Sequence, residues 1–540
     1  MSLESTEAGG ATLSPPPEPP PRSPVRRIAI ATAIFAGATA LSRVAGLGRE
    51  VIQAGYFGTH ESINAFTVAS QIPNLVSNLF SMAALSAAFV PVFTELLHEG
   101  RRQEAVKLAS TLFWLILIVL TALTLVYTAL AGVIMPLFAG TMSPHYVHLT
   151  VGLSRVLFPV VLLLGMTGLL VGILQSYDRF GAAAVAPAVW NVVIIIGLVA
   201  LHSHFGVYGY AIAWLVATVV QFALIAVALR GIDFRPSFSL DWRDPRVRQV
   251  MILFIPVTVS IGIINIDSFL NATLGTLVSP HASVAINDAF RLYMLPQGIF
   301  SVAVTTVLFP TMTRMAIRRD VGGLRHTLGT GVRQINLLLI PSAALMAVLA
   351  TPIVRLVYER HAFNNYSTHI VSIALLWFAF SLPFSGINLL FTRTFFALKR
   401  PWIPTKLAAM NVALDIVVSL LLYKSLGIAG LIIGTLVANI FMTWLQARRL
   451  KIGFNGRLEG PQTTMITVRI CIATAISTAI GYFIWKGLDS LLGLSFVAQL
   501  ISVGLALLIA GAVYFRLVLL MRIPEARQIE DLVRSRLPGR

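Results

Sequence analysis

Charged residues that could bind a ligand occupy one segment of an otherwise apolar stretch, Ser42-Arg43-Val44-Ala45-Gly46-Leu47-Gly48-Arg49-Glu50. In a helix, an advance of about 100° per residue places Arg43 and Glu50 on nearly one stripe, and Ser42 and Arg49 on the adjacent one. Arginine stays protonated and presents a planar fork of donors that suits phosphate oxygens. The segment therefore predicts a polar flank about two turns long that suits an anionic ligand. Alternatively, the arginines pair with Glu50 or with helix-end carbonyl groups and only hold helices together.

Two further pairs of polar residues point to cation binding. Asn411 and Asp415 stand four residues apart and share a helical face, and Asp267 and Asn271 repeat this spacing. Carboxylate and amide oxygens that converge from two helices can form a cage for a hard cation such as sodium. The pairs therefore predict a sodium site with Na⁺ as a coupling ion, and no other cofactor is expected. An interhelical hydrogen-bond clamp is the alternative.

The elements that must position these residues are membrane helices. The 540-residue chain is 57% hydrophobic and 11% charged, with a mean hydropathy of +0.83, and soluble globular proteins do not have this composition. Apolar runs recur along the chain, each long enough to cross about 30 Å of hydrocarbon. Because lipid offers the backbone no partners and the runs do not alternate as barrel strands do, we expect an all-α polytopic membrane protein.

The apolar runs predict about fourteen transmembrane helices. Their expected spans are 28–57, 63–97, 105–138, 148–177, 184–203, 207–230, 246–278, 283–317, 323–350, 365–397, 403–423, 428–449, 464–485 and 493–521.

An internal repeat divides these helices. Asn64-Ala65-Phe66 with Pro73 and Pro91 matches Asp288-Ala289-Phe290 with Pro296 and Pro310, although prolines and phenylalanines are common in membrane helices and coincidence is the alternative. The repeat predicts two six-helix lobes, with a site between them that faces each side in turn. We expect five regions: a disordered Pro-rich tail at 1–24, an N-lobe at 25–232, a C-lobe at 246–452, two added helices at 463–522 and an amphipathic tail at 523–540.

The basic residues are concentrated in the connections on one side of the predicted membrane. The net charge is +18, and Arg and Lys concentrate in alternate connections, such as those around Arg101 and Arg400. The positive-inside rule places both termini in the cytoplasm, so the basic composition requires no nucleic acid partner. We predict a multi-pass protein of the bacterial cytoplasmic (inner) membrane.

Motifs of enzymes are not evident, so we expect a protein that is not an enzyme. The ten histidines lack the His-Glu-x-x-His spacing of a zinc helix, and there is no Walker loop or convincing nucleophile elbow. The single cysteine, Cys471, excludes a disulfide framework and is expected to pack between helices.

Several motifs together carry a resemblance to a known family: Ser-Arg-x-x-Gly-x-x-Arg-Glu from Ser42, Asn64-Ala65-Phe66, Gln71-Ile72-Pro73-Asn74, Ala88-Phe89-Val90-Pro91, and Arg291-Leu292 before Pro296. Over roughly residues 26 to 522 the chain resembles the MurJ (MviN) lipid II flippases of the MOP exporter superfamily. The resemblance implies transport of undecaprenyl-diphosphate-linked peptidoglycan precursor, with Arg43, Arg49 and Arg291 facing a central cationic cavity. It also adds support for sodium, which some members bind between the seventh and eleventh helices, where Asn271 matches better than Asp267.

The second helix departs from the family pattern. The family usually has an acidic residue at Asn64, an arginine near Ser77-Asn78 and often an acidic residue near Met82, and all three positions are neutral here. Asn64 and Asn78 remain in the predicted substrate site with Ser42 and Glu50, but the way in which the diphosphate is held is in doubt. Arg155 could compensate, or it could be a locally paired arginine.

The leading hypothesis is therefore a lipid II flippase that works by alternating access around the arginine cavity, with a lipid-linked anionic precursor and membrane lipids as partners. One alternative is another MOP-type exporter, of polysaccharide-linked lipid or of cationic drugs, and a cationic cavity argues against the drugs. The other is a non-transporting scaffold that recruits cell-wall synthesis proteins through its tails.

Overall fold

The fold is all-helical over the residues that the structure, a computed structural model, describes: 24–79, 82–232, 237–454 and 459–527. Within these ranges the side chains of 24–40, 82–87, 256–257 and 259–268 are not described. All of the predicted tail at 1–24 except Pro24, and most of the predicted tail at 523–540, therefore lie outside the described residues. Both the Asp267 and the Met82 side chains lie outside them as well.

Seventeen α-helices and no β-strand occur in these ranges. The helices are α1 (Pro24–Phe57), α2 (Glu61–Leu79), α3 (Met82–His98), α4 (Arg102–Ile134), α5 (Pro144–Leu157), α6 (Pro159–Ser176), α7 (Gly181–Ala228), α8 (Pro245–Val278), α9 (Ala282–Pro296), α10 (Val302–Ile317), α11 (Val321–Val348), α12 (Ala350–Tyr358), α13 (Asn365–Ala397), α14 (Trp402–Leu426), α15 (Ile428–Gly453), α16 (Gly460–Leu492) and α17 (Phe496–Leu520).

These helices confirm a polytopic membrane protein. Among the described residues, ten spans are long and apolar enough to cross a membrane. Every predicted span coincides with one helix, with part of α7, or with two consecutive helices, and α12 is an addition that the sequence analysis missed. The count of fourteen crossings stays a prediction.

Several predicted spans are interrupted, for identifiable reasons. α6 begins at Pro159, where proline lacks the amide hydrogen that would continue α5. A five-residue π-helical turn, Gln297–Ser301, follows Pro296 and separates α9 from α10. α7 continues through Gly206, whose φ of 53° and ψ of −129° are not helical. Glycine tolerates this conformation because it has no Cβ.

Two separate hydrophobic cores organise most of the described chain. One unites buried residues between Ala88 and Phe254, from α3 to the beginning of α8. The other contains residues between Leu274 and Phe454, from the end of α8 to the end of α15, together with Ala54. α8 therefore belongs to both cores. A smaller core attaches α16 and α17 to Leu337 of α11, and Cys471 is exposed instead of packed, so that expectation was wrong.

The two halves share a glycine corner that supports the internal repeat. Gly427, between α14 and α15, has a φ of 57° and a ψ of −132°, close to the values at Gly206. Three residues later, a Cβ on Gly209 would lie 2.8 Å from the Leu201 carbonyl oxygen, and one on Gly430 would lie 2.5 Å from that of Leu422. Both pairs of glycines are 221 positions apart, so the two corners are equivalent.

Candidate substrate-binding site

Arg49 is caged inside the N-terminal half. Only 6% of the residue is exposed, and its guanidinium donates through Nη2 to the Glu50 carboxylate. Its Cζ atom lies 5.1 Å from the Trp190 ring centroid and 5.5 Å from that of Trp214. Cation–π contacts contribute about 2 kcal/mol when desolvated. The predicted alternative, pairing with Glu50, therefore describes Arg49 in this conformation.

Arg291, in contrast, is accessible. It projects from α9 toward α1, where its Nε atom lies 3.4 Å from Glu50 Oε1, and 46% of its side chain is exposed. The buried Glu50 carboxylate thus joins Arg49 of its own helix to Arg291 of the other half. Because one carboxylate neutralises only one of two guanidinium groups, the cluster of these three residues retains positive charge.

Arg43 lies two turns before Glu50 on α1, and it is also exposed. A Cβ on Gly298 would stand 3.0 Å from its Nη1 atom, so the guanidinium lies against the π-helical turn after α9. α1 is therefore bridged to α9 by Glu50 at Arg291 and to the turn that follows α9 by Arg43 at Gly298. The earlier residue on α1 meets the later residue on the other side, so the two segments run antiparallel. Both bridges are formed by long side chains. Ser42 lies nearby, and its carbonyl oxygen accepts a 3.4 Å hydrogen bond from the Asn191 amide.

α2 contributes less to the substrate site than the sequence predicts. Asn64 is fully buried, and its Oδ1 accepts a 2.9 Å hydrogen bond from the Val284 backbone amide at the start of α9. It therefore holds α2 to the other half instead of facing the arginines. Asn78 lies partly buried near the end of α2, where it has a polar contact of its own. Arg155 is exposed, and its Nε donates to the Thr128 carbonyl at 3.2 Å, so it is a locally paired arginine.

The halves are closely joined at the end of the molecule that carries the α1–α2 and α8–α9 turns, which we term the closed end. The Ala362 amide donates to the Gly55 carbonyl at 3.0 Å, and the Thr141 amide donates to the Thr276 carbonyl at 2.8 Å. His281 Nδ1 lies 2.6 Å from the Thr59 carbonyl oxygen. These contacts join helix ends and loops of the two halves, so this end is shut.

Two of the four predicted cation-site residues, Asn271 and Asp415, meet in a second polar cluster, among α8, α14 and α15. Asn271 Nδ2 donates to Thr435 Oγ1 at 3.2 Å, and that hydroxyl donates to Asp415 Oδ2 at 3.1 Å. Ser419 donates to the other oxygen of Asp415 at 2.9 Å. Asn411 lies one turn before Asp415, and its buried Oδ1 atom has no hydrogen-bond partner. The cluster offers hydroxyl, amide and carboxylate oxygens, as a hard cation requires.

Sequence reasoning missed Trp190, Trp214 and Thr435, although the repeat carried a signal for them. Thr435 stands 221 positions after Trp214, and Asn411 stands 221 positions after Trp190, the same separation as between the glycine corners. Of the tryptophans that cage Arg49, Trp214 thus corresponds to Thr435 of the polar cluster, and Trp190 corresponds to Asn411, one turn before Asp415. An alignment extended from α2 to α7 would have paired the two sites.

The chain is similar to known proteins over most of its length. A family model described as lipid II flippase MurJ matches residues 53–502. The probable lipid II flippase MurJ of Rhizobium meliloti (strain 1021) is 31% identical over 466 residues, 83% of this chain and 85% of that protein. The lipid II flippase MurJ of Burkholderia cenocepacia is 30% identical over 356 residues, 64% of this chain and 69% of that protein.

Solved structures agree at the level of the fold. A lipid II flippase MurJ in an inward closed conformation matches with a TM-score of 0.75 at 23% identity, covering 90% of this chain and 99% of that chain. An inward-facing multidrug resistance MATE family transporter of the MOP superfamily matches with a TM-score of 0.64 at 17% identity, covering 77% and 94%.

Proposed function

Because this chain belongs to the lipid II flippase MurJ family, we propose that it translocates lipid II, the undecaprenyl-diphosphate-linked peptidoglycan precursor, across the bacterial cytoplasmic membrane. The observation that carries the proposal is the cluster of Arg49, Glu50 and Arg291 between α1 and α9, with Arg43 exposed beside it. A charge at membrane depth is costly, so accessible arginines there indicate a functional, wet site.

The three arginines have two different roles. Arg43 and Arg291 are exposed and present forked donors to the diphosphate. Arg49 is enclosed by tryptophans, and it holds the Glu50 carboxylate in place. When the diphosphate arrives, Arg291 exchanges the 3.4 Å contact with Glu50 for contacts with phosphate oxygens. This exchange keeps the guanidinium paired before and after binding, which limits its desolvation cost.

The lipid tail stays in the bilayer while the headgroup crosses. Extraction of the tail would cost about 0.8 kcal/mol per CH₂, so the cavity needs an opening toward lipid. Arg43 and Glu50 bridge α1 to α9 and to the π-helical turn after it through long side chains, and apolar residues of these elements are exposed, among them Leu41, Val44, Met294 and Ile299. We place the lateral opening between α1 and α9. A structure that is closed to lipid at this position in every state would contradict the placement.

Alternating access follows from the closed end. The basic connections lie at the other end of the helices, so the positive-inside rule assigns the closed end to the outer side and both termini to the cytoplasm. The conformation described here therefore loads headgroups from the cytoplasm. Rocking of the N-lobe (25–232) against the C-lobe (246–452) breaks the contacts at Gly55, Thr59 and Thr276 and opens the opposite side.

The polar cluster of Asn271, Asp415 and Thr435 supports a second element of the proposal, a sodium site in the C-lobe. The unpartnered Oδ1 of Asn411 and the single carboxylate suit a monovalent cation. Sodium bound there would draw α8, α14 and α15 together. We expect sodium, compared with potassium, to raise the unfolding temperature of the purified wild type and not that of Asp415→Asn. An equal increase in both proteins would contradict the site.

Complementation of a bacterium depleted of its own lipid II flippase tests the proposed function. The wild type should restore growth, and Arg43→Ala and Arg291→Ala should not, because the diphosphate loses its ligands. Arg155→Ala is the matched control, since that membrane arginine bonds to a neighbouring helix and should still rescue. Rescue by both cavity variants would contradict the cavity assignment. Failure of the wild type would favour another MOP-type substrate, such as a polysaccharide-linked lipid, or a scaffold that recruits cell-wall synthesis proteins.

A further inference from the structure

Asp288 is a buried carboxyl group that the transport scheme does not yet use. It lies on α9, one turn before Arg291, with 3% of its surface exposed. Its Oδ2 atom is buried without a hydrogen-bond partner, and the described residues place no cation within ion-pair distance of it. An ionised carboxylate in such a place is costly, so its charge depends on the field of the nearby cations.

The charged groups that act on Asp288 are those of the substrate-binding cluster. Glu50 on α1 and Arg291 on its own helix both influence it electrostatically. Tyr358 on α12 also faces it, and donates a 3.3 Å hydrogen bond to its backbone carbonyl. Arg291 reaches toward Glu50 and not toward Asp288. Two carboxyl groups therefore share the field of one accessible arginine.

The charge of this cluster depends on Asp288. Arg49 and Arg291 carry two positive charges, and Glu50 carries one negative charge. With Asp288 ionised, the four residues are neutral in sum, and an arriving anion meets an unpaired carboxylate. With Asp288 protonated, the sum is one positive charge. A bound diphosphate and a proton on Asp288 therefore stabilise each other.

The internal repeat distinguishes this position from its counterpart. Asn64-Ala65-Phe66 in α2 corresponds to Asp288-Ala289-Phe290 in α9, so Asn64 is the repeat-related residue of Asp288. Both side chains are buried. The first copy carries an amide that cannot ionise, and the second carries a group that can. An amide is thus tolerated at this place in the fold, which makes Asp288→Asn a conservative substitution.

We propose that Asp288 is a proton-binding site, and that its carboxylate takes up one proton from water in the cavity when the anionic headgroup binds beside Arg291 and returns it when the headgroup leaves. The inference rests on the proposed function, because it requires an anion at Arg291. It assigns a second coupling ion, the proton, to the half of the molecule that contains the candidate sodium site.

Calorimetry with farnesyl diphosphate, a short lipid diphosphate, tests the proposal. Titration of the purified full-length protein in buffers of different ionisation enthalpy gives the number of protons taken up on binding. The probe's own titration is common to all variants, so the difference between wild type and Asp288→Asn isolates this carboxyl. Asp489→Asn is the control, because that carboxylate lies at the far end of α16 and accepts a hydrogen bond from Gln499.

We expect the wild type and Asp489→Asn to take up more protons than Asp288→Asn. Wild-type affinity should fall with rising pH more steeply than that of Asp288→Asn, by up to about tenfold per pH unit. If Asp288→Asn is unstable, Asp288→Glu should restore the proton uptake. Identical proton uptake by wild type and Asp288→Asn would overturn the assignment to Asp288 alone. A wild type that binds no farnesyl diphosphate would instead overturn the anion site and the proposed function with it.

Discussion

At the scale of single residues, neighbouring arginines of one helix have different surroundings. Arg43 and Arg49 both stand in the motif that predicted the polar flank, and helical periodicity treats them alike. Arg43 is exposed, whereas Arg49 is buried between Trp190 and Trp214. Both tryptophans follow Arg49 by more than 140 positions in the sequence. The spacing within α1 therefore could not distinguish a ligand-facing arginine from a buried one.

This difference predicts separate consequences for stability. Removal of one partner of a buried pair costs about 3–5 kcal/mol, because the other charge is left uncompensated. Arg49→Met leaves Glu50 with one half-exposed partner, Arg291, so we expect a loss of stability at the lower end of that range. Arg43→Met should cost less than about 1 kcal/mol, as is usual at exposed positions. Thermal unfolding of both variants in detergent checks this, and equal destabilisation would contradict the cage.

At the scale of elements, hydropathy predicts where helices are and not how each ends or bends. The predicted spans match the helices because lipid requires every long apolar segment to satisfy its own backbone. The corner at Gly206 was placed between two predicted spans, but the apolar pattern does not mark the π-helical turn after Pro296 or the short α12, which pack mainly against helices of the C-terminal half. Asn64 was assigned to the substrate for a similar reason, since a sequence does not reveal that its amide meets Val284.

The closed end depends on glycines at positive φ. Gly140 has a φ of 54°, and a Cβ there would lie 2.4 Å from the Thr276 carbonyl oxygen of the other half. Gly140→Ala should therefore disfavour closure. Gly100→Ala is the matched control, because Gly100 has a φ of 72° and nothing lies within 4 Å of its Cβ position. Both substitutions bring similar backbone strain, of about 1–2 kcal/mol, and only the first brings a clash.

Spin labels at the closed end measure the effect. Cysteines that replace His60 and Asn365, two exposed residues of opposite halves, can be labelled in a Cys471→Ser background, and their separation can be followed by pulsed electron paramagnetic resonance. Gly140→Ala should shift the distance distribution toward longer values, and Gly100→Ala should leave it as in the parent. A distribution unchanged by Gly140→Ala would mean that this contact does not control closure.

At the scale of the whole molecule, the two halves carry different polar groups at positions that the repeat relates. In the C-terminal half, Asp415 and Thr435 form a polar cluster that suits a mobile ion. In the N-terminal half, Trp214 stands at the position that corresponds to Thr435, and it encloses Arg49, a cation fixed by the chain. The sequence predicted the repeat and both sets of charged residues. Their correspondence follows from the separation of 221 positions that the glycine corners share.

The central claim is that lipid II crosses the membrane through the arginine site between α1 and α9. Its most direct test uses proteoliposomes that contain lipid II with a fluorophore on the headgroup, which an added membrane-impermeant reductant quenches in the outer leaflet. The wild type and Arg155→Ala should expose the inner-leaflet pool and bring quenching close to completion. Arg291→Ala should leave that pool protected, as in protein-free vesicles. Quenching by Arg291→Ala at the wild-type rate, or none beyond the protein-free level with the wild type, would contradict the claim.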